Sequence, residues 1–494
     1  LSPFVRTRAL GALALLAFAA ISVVAARPAG AEAAKGVFHP ETFTLANGLQ
    51  VVVVTNRRAP VVMHMMWYKA GAADEPPGKS GIAHFLEHLM FKGTKEYPTG
   101  MFSKIVANNG GQENALTSSD YTAYYQSVAR DRLETVMKIE ADRMTNLDLP
   151  EKEVESERKV ILEERRQRTE NSPRSILWEQ ANAALYLNHP YRIPTIGWQH
   201  EMEKLSKADA MAFYRRWYAP NNAVLVIAGD VTAADVRPLA EKYYGAIPRR
   251  EVPERARPLE PPQRHARRVT YKDSRVDQPS WSKLFIAPSY HRGETKHVYA
   301  LQVLSEILGG GATSRLYQQI VVKQKLAASA GAGYSGSALD YSNFYLYASP
   351  RNGVELDRVE KAVEALVAEL LDKGVTAEEV ARAKQVLIDR AAFAHDNLRT
   401  GAMSFGVALS TGRSVADVEA WPDNIAKVTA EDVLAAARHV LKDTGSVTAI
   451  LLGAEKKTTL RKAAVAPGSE PADAPDGMDG PDGPGEAPGA GQPN

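Results

Sequence analysis

The chain has 494 residues, too many for one hydrophobic core to serve comfortably, so two or three domains are expected. With 45% hydrophobic and 24% charged residues it has the composition of an ordinary globular protein, and a formal charge of +2 implies neither nucleic acid nor an anionic membrane surface as a partner. The absence of cysteine excludes disulfides, thiolate zinc sites and a cysteine nucleophile, and leaves the compartment undetermined by redox chemistry.

At the N-terminus, Arg6 and Arg8 precede an uncharged run from Ala9 to Ala26, and Ala29-Gly30-Ala31 places small residues at −3 and −1 of a cleavage site before Glu32. Residues 1–31 therefore read as a secretory signal peptide, which predicts a periplasmic protein. An uncleaved anchor is the alternative, because about 18 apolar residues can just span a bilayer. A mitochondrial presequence fits less well, since such segments are amphipathic with arginine spread along them.

Phe43 to Val54 reads as two strand runs around Asn47-Gly48, a strong hairpin signal, and Val61 to Tyr68 as a further strand. Next comes GIAHFLEHLMFKGT, in which His84, Glu87 and His88 form His-x-x-Glu-His. If this segment is helical, the three side chains share an arc about 100° wide, with the imidazoles at i and i+4. One face then offers two zinc ligands and a base, in the reversed order of the more familiar zinc-peptidase motif. Gly110 and Gly111 mark a turn before QENALTSSDYTAYYQSV, whose alternation predicts one or two strands. Long charged helices are expected over Arg130 to Thr145 and Glu151 to Arg168, and a strand over Ala223 to Ala228.

A catalytic zinc usually takes three protein ligands, so two histidines are one short. On the second charged helix Glu157 and Glu164 are seven residues apart, which brings them to nearly the same face. Glu164 fits as third ligand, with Glu157 behind it hydrogen-bonding a ligand; Glu163 is the rival, pointing away from the Glu157 face. Two histidines and a glutamate on a helix can also be a polar surface patch, but the metal reading is favoured.

Pro248 to Arg268 holds five prolines and seven arginines without apolar periodicity, and reads as a solvated linker rather than a docking stripe. Beyond it the order of elements repeats. FLEHLMFKGT lies over VLSEILGGGA and EVESERKVILEE over EVARAKQVLIDR, so that Gln302, Ser305, Glu306 and Arg390 replace His84, Glu87, His88 and Glu164. The expected fold is α+β: two homologous domains, 37–247 and 269–460, each a mainly antiparallel sheet with helices packed on one face, the second without metal ligands. Residues 463–494 carry six acidic residues and no lysine or arginine, and read as a disordered tail.

These motifs resemble those of the pitrilysin and insulysin peptidases, the inverzincins, and most closely their half-length members similar to mitochondrial processing peptidase and its bacterial relatives. The resemblance covers about residues 37 to 455. It implies a fold that is half of a clamshell, one zinc per chain held by His84, His88 and Glu164, and Glu87 as general base. GGQENALTSSDYTAYY resembles the segment whose edge strand, around Asn114, Ala115 and Thr117, pairs with substrate backbone. YRIPTIGW and YAPNNAVLVIAGD, with Gly197, Trp198, Pro220 and Asn221, resemble structural landmarks.

One departure stands out. Active members that need no second type of chain carry Arg and Tyr seven residues apart in a stretch resembling SRLxQxIRxKxxLAYS, where this chain reads SRLYQQIVVKQKLAAS. Val321 and Ala328 occupy those positions and donate no side-chain hydrogen bond. Arg315, Tyr317 and Tyr334 are nearby but out of register. The resemblance therefore implies the zinc-bearing member of a heterodimer, acting on peptides or unfolded segments beside a homologous subunit that supplies the Arg/Tyr pair. The alternative is a non-catalytic assembly subunit similar to the core proteins of respiratory complexes.

Overall fold

The computed structural model describes residues 36–454 except 395. The signal-peptide and acidic-tail readings lie outside these residues. Among the described residues no helix is long and apolar enough to cross a membrane.

Among the described residues, eleven strands form two sheets with related topologies. The first contains β1 (Glu41–Thr44), β2 (Gln50–Thr55), β3 (Val61–Tyr68), β4 (Gln112–Thr117), β5 (Thr122–Ala129) and β6 (Ala223–Gly229), in spatial order β1-β2-β6-β3-β5-β4. The second contains β7 (Arg267–Asp273), β8 (Ser280–Ala287), β9 (Ala327–Tyr334), β10 (Ser342–Pro350) and β11 (Ser446–Gly453), in order β7-β11-β8-β10-β9. All pairings are antiparallel except β2 with β6 and β7 with β11. The Asn47-Gly48 turn joins β1 to β2 in register, Thr44 opposite Gln50.

Helices α1 (Ile82–Leu89), α2 (Met101–Asn108), α3 (Leu133–Asn146) and α4 (Glu151–Arg165) belong to the first half. Side chains alternate across a strand, so β2 sends Val51 and Val53 to one face and Val52 and Val54 to the other. Val51 and Val53 join Phe85, Leu86 and Leu89 of α1 in the main core, with Met137 of α3 and Ile161 of α4. Val52 and Val54 join Met63, Met65 and Trp67 in a second cluster.

That second face is covered from the other half of the chain. The helix Leu398–Ser410 lays Ala402 and Phe405 against it. Gly406 admits the Trp67 indole so closely that a Cβ there would lie 1.9 Å from the ring. The exchange is reciprocal, because α5 (Pro173–Leu185) packs Leu177, Ala181 and Leu185 on Leu284, Val447, Ala449 and Leu451 of the second sheet. Each sheet is thus apolar on both faces, one served by its own helices and one by a helix of the other half. The near-continuous apolar strands β2, β3 and β6 are the sequence trace of this burial.

The segment between the halves departs from the solvated connector expected of it. Before β7 begins at Arg267 it has no helix or strand, yet the Arg257 guanidinium is buried and bonds Asp74 (2.9 Å), Asp120 (2.5 Å) and Asp340 (3.1 Å). Tyr191 donates to Asp120 at 2.7 Å, and Arg255 donates to the carbonyls of Asp120 and Ser410, both at 2.9 Å. A guanidinium tolerates burial only when carboxylates and hydrogen bonds replace its water, and here three carboxylates from distant parts of the chain do so. Asp74 and Asp120 come from the first half and Asp340 from the second, so the segment pins the two halves together.

Candidate metal centre

The fold brings α1 against α4, and the helix order of the sequence becomes a spatial cluster. The start of α1 is held from outside the helix. Glu75 accepts from the backbone N–H of Gly81 and Ala83, both at 2.9 Å, satisfying donors that a helix N-terminus leaves unpaired. Gly81 and Gly197 touch, with a Cβ on Gly197 falling 2.6 Å from the Ser80 carbonyl, and the Ser80 hydroxyl accepts from the Trp198 N–H at 2.9 Å. Gly197 and Trp198 therefore seat α1. Asn221 exchanges hydrogen bonds with the Arg250 backbone at 2.9 and 3.1 Å, a structural tie as well.

His84, His88 and Glu164 converge. Glu164 Oε2 lies 3.4 Å from His84 Nε2 and 3.3 Å from His88 Nε2. These separations exceed the roughly 2.7–2.9 Å of a charge-assisted hydrogen bond. They match the edge, roughly 3.3 Å, of a tetrahedron with bonds of about 2.05 Å, the length of zinc bonds to imidazole and carboxylate. Glu164 Oε2 is buried and makes no hydrogen bond, whereas Oε1 forms an ion pair with Arg168 at 2.7 Å. One oxygen is thus anchored and the other faces both imidazoles, so the donor set fits a divalent cation.

Glu157 stands behind His88, with Oε1 2.8 Å from Nδ1, which leaves Nε2 to face the centre. The other Glu157 oxygen pairs with Lys92 Nζ at 2.5 Å. A carboxylate on the far nitrogen fixes the tautomer of a ligating histidine and raises its basicity. His84 Nδ1 is buried and has no protein partner. Glu163 turns away and pairs with Arg166 at 2.6 Å, which removes it as a rival ligand.

The electrostatics follow from this geometry. Burial, reinforced by His88, lowers the His84 pKa to about 4, so its imidazole is neutral at physiological pH. Burial also works against charge on His88, but Glu157 and Glu164 outweigh it and raise that pKa to about 9. The field that holds a proton on His88 also favours a metal cation in its place. Glu87, buried, has its pKa raised by desolvation, against which the Thr117 hydroxyl donates a hydrogen bond to Oε2.

Thr117 ends β4, the edge strand that carries Asn114 and Ala115 and, among the described residues, pairs only with β5. Asn114 Oδ1 accepts from the Ala115 N–H, while the Thr117 side chain is committed to Glu87. Any substrate contact at position 117 would thus be made by backbone. Lys92, Arg168 and the Thr117 contact were missed in the sequence. The first two carry a local signal, since each lies four residues after a candidate ligand on or near the same helix, a spacing at which side chains meet.

In the second half the equivalent cluster is filled by other contacts. Arg390 and Glu306, aligned with Glu164 and His88, form an ion pair at 2.7 Å. Gln302, aligned with His84, bonds the Tyr290 hydroxyl (2.6 Å) and the Trp421 indole N–H (2.8 Å). Val321 is buried in the core and Ala328 is exposed on β9. Arg315 is engaged with Glu379 at 2.6 Å, and the Tyr334 hydroxyl with the Pro288 carbonyl at 2.6 Å, so neither is free to stand in for the missing pair.

Two sheet-plus-helix halves, one carrying a paired-histidine and glutamate cluster beside a second glutamate, define a metallopeptidase type of architecture. Residues 50–198 match the family model described as insulinase, peptidase family M16, and residues 204–387 the one described as the peptidase M16 inactive domain. The chain is 32% identical over 420 residues to the zinc protease PqqE of Helicobacter pylori, covering 83% of this chain and 92% of that protein. The crystal structure of a protease from Helicobacter pylori superposes with a TM-score of 0.79 at 30% identity, over 84% of this chain and all of that one. The first half of the Escherichia coli periplasmic protease PqqL shares the fold, with a TM-score of 0.71 at 21% identity, over 84% of this chain and 92% of that one. The chain belongs to the M16 peptidase family and is of its half-length type. All the residues of the candidate centre fall within the insulinase match, and its relatives carry the name zinc protease.

Proposed function

We propose that this chain is the zinc-bearing subunit of a periplasmic endopeptidase that hydrolyses peptides or unfolded segments together with a homologous partner. The observation that carries the reading is Glu164 Oε2, buried, without a hydrogen bond and at tetrahedral-edge distance from His84 Nε2 and His88 Nε2. One zinc held by these three residues supplies Lewis acidity toward water and the scissile carbonyl. Glu87 sits one residue before His88 on the same face of α1, oriented by Thr117. As general base it takes a proton from the attacking water, and as general acid it returns the proton to the leaving amine. Its raised pKa suits both halves of that cycle. The free edge of β4 fits an extended substrate added as a strand, a mode that reads backbone and favours unfolded chains.

The partner part of the proposal rests on Val321 and Ala328. An oxyanion needs a donor beyond the metal, and losing one such donor typically costs about 10² to 10³ in rate. The periplasmic part rests on the N-terminal signal and on the relative in Escherichia coli whose name places it there. The test of metal dependence is cleavage of an unfolded polypeptide by the chain with its partner. A chelator should abolish it and stoichiometric zinc should restore it. Cleavage that survives complete removal of zinc would refute the proposal.

A further inference from the structure

A second cluster of metal-ligating side chains lies in the other half of the chain, where Glu294, His297 and His439 bring one donor atom each within 4.8 Å of one another. His297 Nε2 is 3.5 Å from Glu294 Oε2, close to the tetrahedral edge seen at α1. His439 Nδ1 is 3.9 Å from Glu294 Oε1. The two imidazoles stack, with centroids 5.0 Å apart and planes 28° from parallel, so both face the same carboxylate. His297 is buried at the start of the helix Val298–Gly309, and His439 lies in the last turn of the helix Ala430–Val440 that packs against it. Glu294 and His439 remain partly in solvent, so small side-chain rotations close the 3.9 Å gap without moving backbone.

We propose that Glu294, His297 and His439 form a second divalent transition-metal site, which staples the start of the helix Val298–Gly309 to the helix Ala430–Val440. Two imidazoles and a carboxylate with water completing the shell suit zinc or a similar borderline ion. The site is a structural staple, because among the described residues no buried general base accompanies it as Glu87 accompanies the α1 centre. Its affinity is limited by a competitor, because Lys296 Nζ sits 2.8 Å from Glu294 Oε2, the oxygen that faces His297. With that competitor and, among the described residues, no second carboxylate bonded to either histidine, the site binds at least about tenfold more weakly than the α1 centre.

The experiment uses the full chain carrying His84→Ala and His88→Ala, which removes the first centre, stripped of metal and titrated with zinc. About one equivalent should bind and raise the melting temperature, since a ligand that binds only the folded state stabilises it. Adding His439→Ala or Glu294→Gln should abolish both the binding and the shift. Lys296→Ala should tighten binding severalfold. The altered residues are partly exposed apart from His84, and circular dichroism of each apo variant checks that it folds. The proposal falls if the His84→Ala, His88→Ala chain binds no zinc, or if its binding persists unchanged after His439→Ala. None of these outcomes depends on peptidase activity.

Discussion

Replacing Glu87 with Gln should cut the turnover number for peptide cleavage by about 10³ or more, with zinc content unchanged and KM little affected. General acid–base catalysis by one positioned side chain contributes typically 10² to 10⁴, and in the proposed mechanism the same carboxylate serves both proton transfers. Gln keeps the shape of the side chain and an oxygen that can accept from Thr117, so the substitution removes the basicity and little else. A fall in turnover without a change in KM marks an interaction made only in the transition state. The measurement is steady-state cleavage with the partner chain present, alongside zinc content of the same preparation. A variant retaining activity within about tenfold of the parent would exclude Glu87 as the base.

Glu164→Gln should weaken zinc binding by more than 100-fold, and Glu157→Gln by roughly 10 to 100-fold. The ranking comes from position. Residues that orient a ligand from behind typically contribute 10 to 100-fold in metal affinity, and Glu157 is such a residue through its 2.8 Å contact with His88 Nδ1. Glu164 places its own oxygen at the centre and supplies a negative charge that no other residue there replaces. Lys92→Met should act in the direction of Glu157→Gln, because the ammonium holds Glu157 in place. Competition with a chromophoric chelator measures all three. Equal affinities for the Glu164 and Glu157 variants would contradict the assignment of first and second roles.

Much of the first half is legible from its residues. The α1 face with two imidazoles and a carboxylate follows from 3.6 residues per turn, and Glu157 and Glu164 share a face of α4 for the same reason. The repeat was also readable, since the aligned residues Arg390 and Glu306 touch as their counterparts do. What was hidden depends on partners far apart in the chain. Arg257 lies in a segment whose composition says solvent, and its burial depends on carboxylates at positions 74, 120 and 340. The periodicity of α5 and of the helix Leu398–Ser410 shows that each has an apolar face but not which sheet receives it. The pairing of Glu294 with His439 spans most of the second half, and no local spacing announces it.

The central claim is that His84, Glu87, His88 and Glu164 make half of an active site whose other half is on another chain. Its most direct test is cleavage of an unfolded peptide by the zinc-loaded chain, alone and after addition of a homologous chain carrying the Arg/Tyr pair. A rate near background is expected for the lone chain, and a rise of at least about 10²-fold on adding the partner, abolished by Glu87→Gln in this chain. Full activity from the lone, zinc-loaded chain, or cleavage by the pair that Glu87→Gln leaves untouched, would contradict it.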